Sequence, residues 1–144
     1  MSIGWKNKTF LSCENAKKII NERNRENMDT VIFDIDGTLI ENEEICIISV
    51  INLYNYIKQK GYILYIITAR LFSPENVVYT KKLLDECGIY DYYGLFMRPG
   101  NDLDLYGYKE SRRKYLHDIG LNIIMSVGDM PFDFGKYGGT PIVV

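Results

Sequence analysis

The chain has 144 residues, 47% of them hydrophobic and 25% charged, with a net charge of −2 and a pI near 5.4. That is one domain's length at globular composition, enough to bury roughly 68–70% of the surface an unfolded chain exposes, and it excludes a disordered chain, a collagen-like repeat and a coiled coil. The acidic balance weighs against bulk nucleic-acid binding, which needs many Lys and Arg against phosphates, but not against a local basic patch.

Residues 12–26 read as a helix with a solvated, charged end, placed ahead of the first strand. Apolar, β-branched runs then recur at 31–36, 62–68, 95–98 and 123–129, and a fifth at 140–144 closes the chain. Runs without polar alternation are strands buried on both faces, hence a parallel sheet. Helical patterns lie between them: 43–60 stopping at Gly61, 74–87 opened by Ser73-Pro74 and stopped by Gly88, and 108–119 stopped by Gly120. Strands alternating with helices give βαβ units and an α/β doubly wound sheet of about five strands. The longest apolar stretch, 45–57, is broken by Ser49, Asn52 and Asn55, too short and too polar to span a bilayer. The opening MSIGWKNKTF lacks the apolar stretch and small-residue cleavage site of a secretion signal. Three cysteines (Cys13, Cys46, Cys87) at long spacings suggest reduced thiols in a cytoplasmic setting. The expected organisation is one unit, residues 30–144, with residues 1–29 as a helical extension.

In such folds ligands bind beyond the carboxyl ends of the strands. The residues there are Asp34 and Asp36 after the first run, Thr68 and Arg70 after the second, Arg98 through Lys109 after the third, and Asp129 and Asp133 after the fourth. Two residues apart at a strand end, Asp34 and Asp36 should point the same way, with Ile35 turned into the core. Like charges so close need a compensating cation or donors, and Asp129 adds a third carboxylate, an oxygen-rich set suited to Mg²⁺. A carboxylate can also act as a nucleophile toward phosphorus. An Asx turn after a core strand is the plain alternative for Asp34-Ile35-Asp36-Gly37-Thr38. A receiver domain gathers similar groups on a similar sheet, but would place its phosphorylated Asp after the third strand, ahead of Thr and Lys; the order here does not allow it.

DIDGTL, an apolar strand running into Thr68, then Lys109, then Gly128-Asp129-x-x-x-Asp133, in that order, resembles the haloacid dehalogenase (HAD) superfamily of phosphotransferases over residues 31–144. The resemblance implies a Rossmann-like sheet of order 5-4-1-2-3. It implies that Asp34 is the nucleophile forming a phosphoaspartate and Asp36 the general acid, then base. Thr68 and Lys109 would hold the phosphoryl oxygens. Asp34, the backbone carbonyl of Asp36, and Asp129 would bind Mg²⁺, with Asp133 supporting that shell. Asp36 as acid favours phosphatase over dehalogenase chemistry.

One helix fills the gap between the first two strands, and ten residues separate Arg98 from Lys109, so no cap domain is expected and the site should be open to large substrates. Met97-Arg98-Pro99 with Asn101-Asp102 and Lys109 resembles the phosphatase half of polynucleotide kinase/phosphatases, and Arg70 beside Thr68 suits that group. Residues 103–108 lack the further basic side chains usual there, and no GxxxxGK[ST] kinase loop is present. The expected activity is hydrolysis of a phosphomonoester on a nucleotide or a nucleic-acid 3′ end, with Arg70 and Arg98 as substrate contacts. A small-molecule phosphatase and a non-catalytic module binding a phosphorylated partner are the alternatives. His117, Arg112, Arg113 and Lys114 read as a solvated helix face, and Tyr90, Tyr92 and Tyr93 as turn and core packing.

Overall fold

The β-branched runs pair side by side as the periodicity requires. The computed structural model describes residues 3–7, 10–100 and 104–144. In chain order the elements are β1 (Gly4–Lys6), α1 (Phe10–Glu22), β2 (Asp29–Phe33), β3 (Ile40–Glu41), β4 (Ile45–Ile47), α2 (Ile48–Gln59), β5 (Ile63–Leu71), α3 (Pro74–Glu86), β6 (Gly94–Arg98), α4 (Leu105–Asp118), β7 (Asn122–Gly128), a single 3-10 turn (Pro131–Asp133) and β8 (Thr140–Val143). The main sheet runs β6-β5-β2-β7-β8 with every pair parallel. Read from β8, this is the expected order 5-4-1-2-3. Strand β2 is central and buried along its whole length. Val31 and Phe33 belong to one apolar cluster and Ile32 to another, one on each side of the sheet.

Three features differ from the expected elements. Residues 45–47, read as part of a helix, form β4 instead, and α2 starts only at Ile48. Strand β4 pairs in parallel with β1 and antiparallel with β3, giving a small second sheet, β1-β4-β3. The N-terminal segment is therefore integrated: β1 enters that sheet, and Cys13, Ala16 and Ile20 of α1 are buried in the main core. The expectation of reduced thiols also fails for two of the three cysteines. Cys46 of β4 and Cys87, which caps α3, are joined as a disulfide with Cα atoms 5.7 Å apart, while Cys13 is a buried thiol. Forty-one residues of sequence separate the pair, so only the fold brings them together. No helix is long and apolar enough to cross a membrane among the described residues.

Candidate active site

The carboxyl ends of β2, β5 and β7 and the N-terminal part of α4 converge on one acidic cluster. Asp34 follows β2 directly, and its backbone N–H donates to Val127 O of β7 at 3.0 Å. The chain then winds tightly: Thr38, Leu39 and Ile40 all donate backbone N–H groups to Ile35 O at 2.8–3.1 Å. Gly37 makes this turn at φ +77°, where a Cβ would also collide with the Asp129 carboxylate. Asp104 caps α4 by accepting from Gly107 N at 2.6 Å, and the helix carries Lys109 inward.

Lys109 is 1% exposed and its ammonium donates to Asp34 Oδ1 at 2.8 Å and to Asp133 Oδ1. The other Asp34 oxygen accepts from the buried Thr38 hydroxyl at 3.2 Å. Asp133 Oδ2 accepts from the backbone N–H groups of Asp129 and Met130 at 3.1 and 3.0 Å, which folds the loop after β7 over the cluster. Gly128 permits it, because a Cβ there would overlap the Asp133 carboxylate. Carboxylate oxygens of Asp34, Asp129 and Asp133 lie within 4.8 Å of one another, and Asp129 Oδ1 is buried without a hydrogen-bond partner among the described residues. Three carboxylates against the Lys109 ammonium and the Arg113 guanidinium, which shares the cavity and interacts with Asp133, still leave net negative charge in a closed space. A hard divalent cation with oxygen ligands fits that donor set. The electrostatics say the same: burial pushes the Asp34 carboxyl up to about 7, the Lys109 charge opposing and the Asp133 charge and a hydrogen bond with Asp129 reinforcing.

Asp36 departs from the expected arrangement. The strand has ended, so alternation no longer applies, and its carboxylate diverges from that of Asp34. It is exposed and receives two parallel hydrogen bonds from Arg70, Nε to Oδ2 and Nη2 to Oδ1, both 2.8 Å. Arg70 also lies 3.7 Å from Glu43, whose carboxylate accepts from the Tyr79 hydroxyl. Thr68 is fully buried in β5, just before the irregular last residues of that strand, and its hydroxyl oxygen accepts from Arg70 N at 3.1 Å. Arg98 ends β6 and donates to Ala69 O at 3.3 Å, which holds it against the last residues of β5.

Asn101 and Asp102 lie outside the described residues. His117 is exposed, as expected, with its ring 5.0 Å from Tyr137. Arg113 reverses its expectation: it is 2% exposed and donates to the carbonyls of Phe132, Phe134 and Lys136, pinning the loop that carries Asp133. Thr38, within the same short motif as Asp34, is a contact that spacing alone does not single out, because only the tight turn brings its hydroxyl back to the Asp34 carboxylate.

The sequence profile of the HAD superfamily, subfamily IIIB (acid phosphatase), matches residues 43–141, more than half of the chain. The match includes Thr68, Lys109, Asp129 and Asp133; Asp34 and Asp36 precede it. No curated protein matches at a significant level. Among solved structures, the class C acid phosphatase from Bacillus anthracis with tungstate bound superposes with a TM-score of 0.73 at 16% identity, covering 93% of this chain and 73% of that one. A chain of the Pnkp1/Rnl/Hen1 complex superposes with a TM-score of 0.66 at 21% identity, covering 85% of this chain and 48% of that one. At such identities the likeness is one of fold, and it agrees with the Rossmann-like sheet. The chain thus belongs to the acid phosphatase subfamily IIIB of the HAD superfamily, a family of phosphomonoester hydrolases.

Proposed function

We propose that this chain is a Mg²⁺-dependent phosphatase acting through a phosphoaspartate on Asp34, with a phosphate on a nucleotide or a nucleic-acid 3′ end as its substrate. The observation that carries the reading is the buried Asp34 carboxylate, bonded to Lys109 and crowded by Asp129 and Asp133 at the strand ends. Asp34, Asp129 and the backbone carbonyl of Asp36 would hold Mg²⁺, supported by Asp133, and the ion would supply charge neutralisation at the phosphoryl group. Asp34 attacks phosphorus, the ester P–O bond breaks, and Asp36 gives its proton to the departing oxygen. Water then attacks the phosphoaspartate while Asp36 takes a proton back, regenerating Asp34 and releasing inorganic phosphate. Lys109 and the Thr68 hydroxyl hold equatorial oxygens, and Asp36, held away from Asp34 by its paired hydrogen bonds with Arg70, turns toward the leaving oxygen when that pair opens. Residues 30–144 would form the catalytic unit, braced by the N-terminal segment.

The substrate reading rests on access and on two arginines. Between β2 and β5 the chain builds only the β3–β4 hairpin and α2, with no inserted cap. Arg70 and Arg98 stand at the rim, and binding one terminal phosphate needs few cationic contacts, so a net charge of −2 is compatible with it. A panel of 3′- and 5′-phosphorylated oligonucleotides, mononucleotides, sugar phosphates and an aryl phosphate, each with Mg²⁺ and with chelator, tests the reading. Nucleoside 3′-phosphates or 3′-phosphorylated ends should give the highest kcat/KM, and Arg98→Ala should weaken them more than the aryl phosphate. Asp34→Asn should lose at least about 10³-fold on every substrate. A preference for sugar phosphates would leave a small-molecule phosphatase, and tight binding without turnover would leave a binding module.

A further inference from the structure

Beside the acidic cluster, β6 and α4 enclose a second feature that phosphate hydrolysis does not use. A cavity of about 340 Å³ is lined by Phe72, Phe96, Met97, Pro99, Tyr108 and Arg112, among others. That is within the range of small-ligand pockets. It lies at the functional end of the sheet: Met97 is the register partner of Thr68, and Tyr108 immediately precedes Lys109 on α4. Its chemistry is specific. Phe96 stacks on Tyr65 with ring centroids 5.9 Å apart, and the Arg112 guanidinium sits 5.5 Å from the Phe96 ring and 5.4 Å from that of Tyr115. The cation is thereby held on aromatic rings at the cavity wall. Phe72, exposed, adds a further ring to the lining. Tyr108 is 2% exposed, yet its hydroxyl has no hydrogen-bond partner among the described residues. Tyr108 lines the cavity, and its buried, unmet hydroxyl is a hydrogen-bonding group that a ligand entering there would reach by a small shift of the ring.

We propose that this cavity is the subsite for the base of the nucleotide that carries the scissile phosphate, the base stacking on Arg112 and Phe72 while the Tyr108 hydroxyl bonds to its edge. Flat rings with hydrogen-bonding edges are recognised by such a combination of aromatic or guanidinium planes and a directed polar group. A phosphotyrosine ring would fill the apolar part but has no edge group for Tyr108. The inference rests on the nucleotide reading above, and the experiment separates the two. kcat and KM are measured for a nucleoside 3′-phosphate, for the matching abasic ribose 3-phosphate and for a phosphotyrosine peptide, in wild type, Tyr108→Phe and Arg112→Ala, with thermal melts to verify folding. Wild type should prefer the nucleotide, and each substitution should raise its KM about three- to tenfold, leaving kcat and the abasic substrate unchanged. If wild type prefers the nucleotide but neither variant narrows that preference, the subsite is overturned and the nucleotide reading survives. Equal losses on both substrates would mean that Tyr108 and Arg112 merely support Lys109, which also overturns it. If wild type does not distinguish the nucleotide from the abasic phosphate, or favours the peptide, the nucleotide reading fails and the subsite with it.

Discussion

Strand β2 carries a buried aspartate at each end, and the two are treated in opposite ways. Asp29, at the amino end, is 1% exposed and receives two hydrogen bonds from Arg23 at 3.0 and 3.1 Å, one from Glu26 N at 2.8 Å and one from Asn122 Nδ2 at 2.8 Å. Burial alone would raise its pKa, but these donors outweigh burial and hold the carboxyl below its ordinary value. Asp34, five residues on and 7% exposed, receives Lys109 and Thr38 but shares that ammonium with Asp133 and faces Asp129. Its pKa rises to about 7. Donors exceed charge at one end; carboxylates exceed donors at the other. A charge imbalance kept in a buried cluster marks a site meant to receive something, whereas a saturated one marks scaffold.

Exchanging the damage between the two ends breaks or sustains this contrast most visibly. Asp29→Ala strands the Asn122 amide and the Glu26 N–H and leaves Arg23 without its carboxylate, so it should cost about 2–4 kcal/mol in denaturant unfolding while folded protein keeps its turnover. Asp34→Asn should show the reverse, with turnover down at least about 10³-fold and stability within about 1 kcal/mol of wild type or above it. Loss of activity in correctly folded Asp29→Ala would mean that the amino end of β2 is not mere scaffold.

A smaller effect follows from Asp129 Oδ1, which is buried without a hydrogen-bond partner among the described residues. A cation bound only by the native state adds about 2.7 kcal/mol at one hundred times its Kd. Mg²⁺ should therefore raise the melting temperature of wild type and of Asp29→Ala alike, and should do so much less in Asp129→Ala. An equal increment in Asp129→Ala would remove that carboxylate from the cation site.

The strand ends were legible because burial on both faces leaves a plain apolar signature, and the polar residue that follows each run falls at the sheet's functional edge. Asp34, Thr68, Asp129 and Asp133 all sit there. What the sequence concealed depends on distant partners or on direction. Residues 45–47 fit a helical period, and only pairing with residues 4–6 makes them a strand. The Cys46–Cys87 bond joins elements that meet only in three dimensions. The direction of Asp36 does not follow strand alternation, because three backbone N–H groups gather on Ile35 O and turn the chain out of the strand. Arg113 had a usable signal: Lys109, Arg113 and Leu116 stand at i, i+4 and i+7, one helix face, and all three are buried. A run of charges hid it, since composition does not tell which member of a run points inward.

The pH dependence of stability should separate the two aspartates even without substrate. Asp34 has a folded pKa of about 7 against an ordinary 3.8, so the native protein binds its proton more tightly than the unfolded chain does. Its contribution is complete below about pH 4 and is lost as pH rises toward and through 7, because the folded state must then accommodate a buried, poorly neutralised carboxylate. Asp29 runs the other way: its lowered folded pKa contributes stability that is present above 3.8 and lost as pH falls through the folded value. Chelated wild type should therefore weaken at both extremes. Between pH 5 and 8 it should lose about 2–3 kcal/mol on the Asp34 side. Asp34→Asn should flatten that upper limb and leave the acid limb intact; Asp29→Ala should do the opposite. Saturating Mg²⁺ should also flatten the upper limb, since a bound cation favours the ionised carboxylate. An upper limb unchanged in Asp34→Asn would assign it to another group and end the contrast between the two ends of β2.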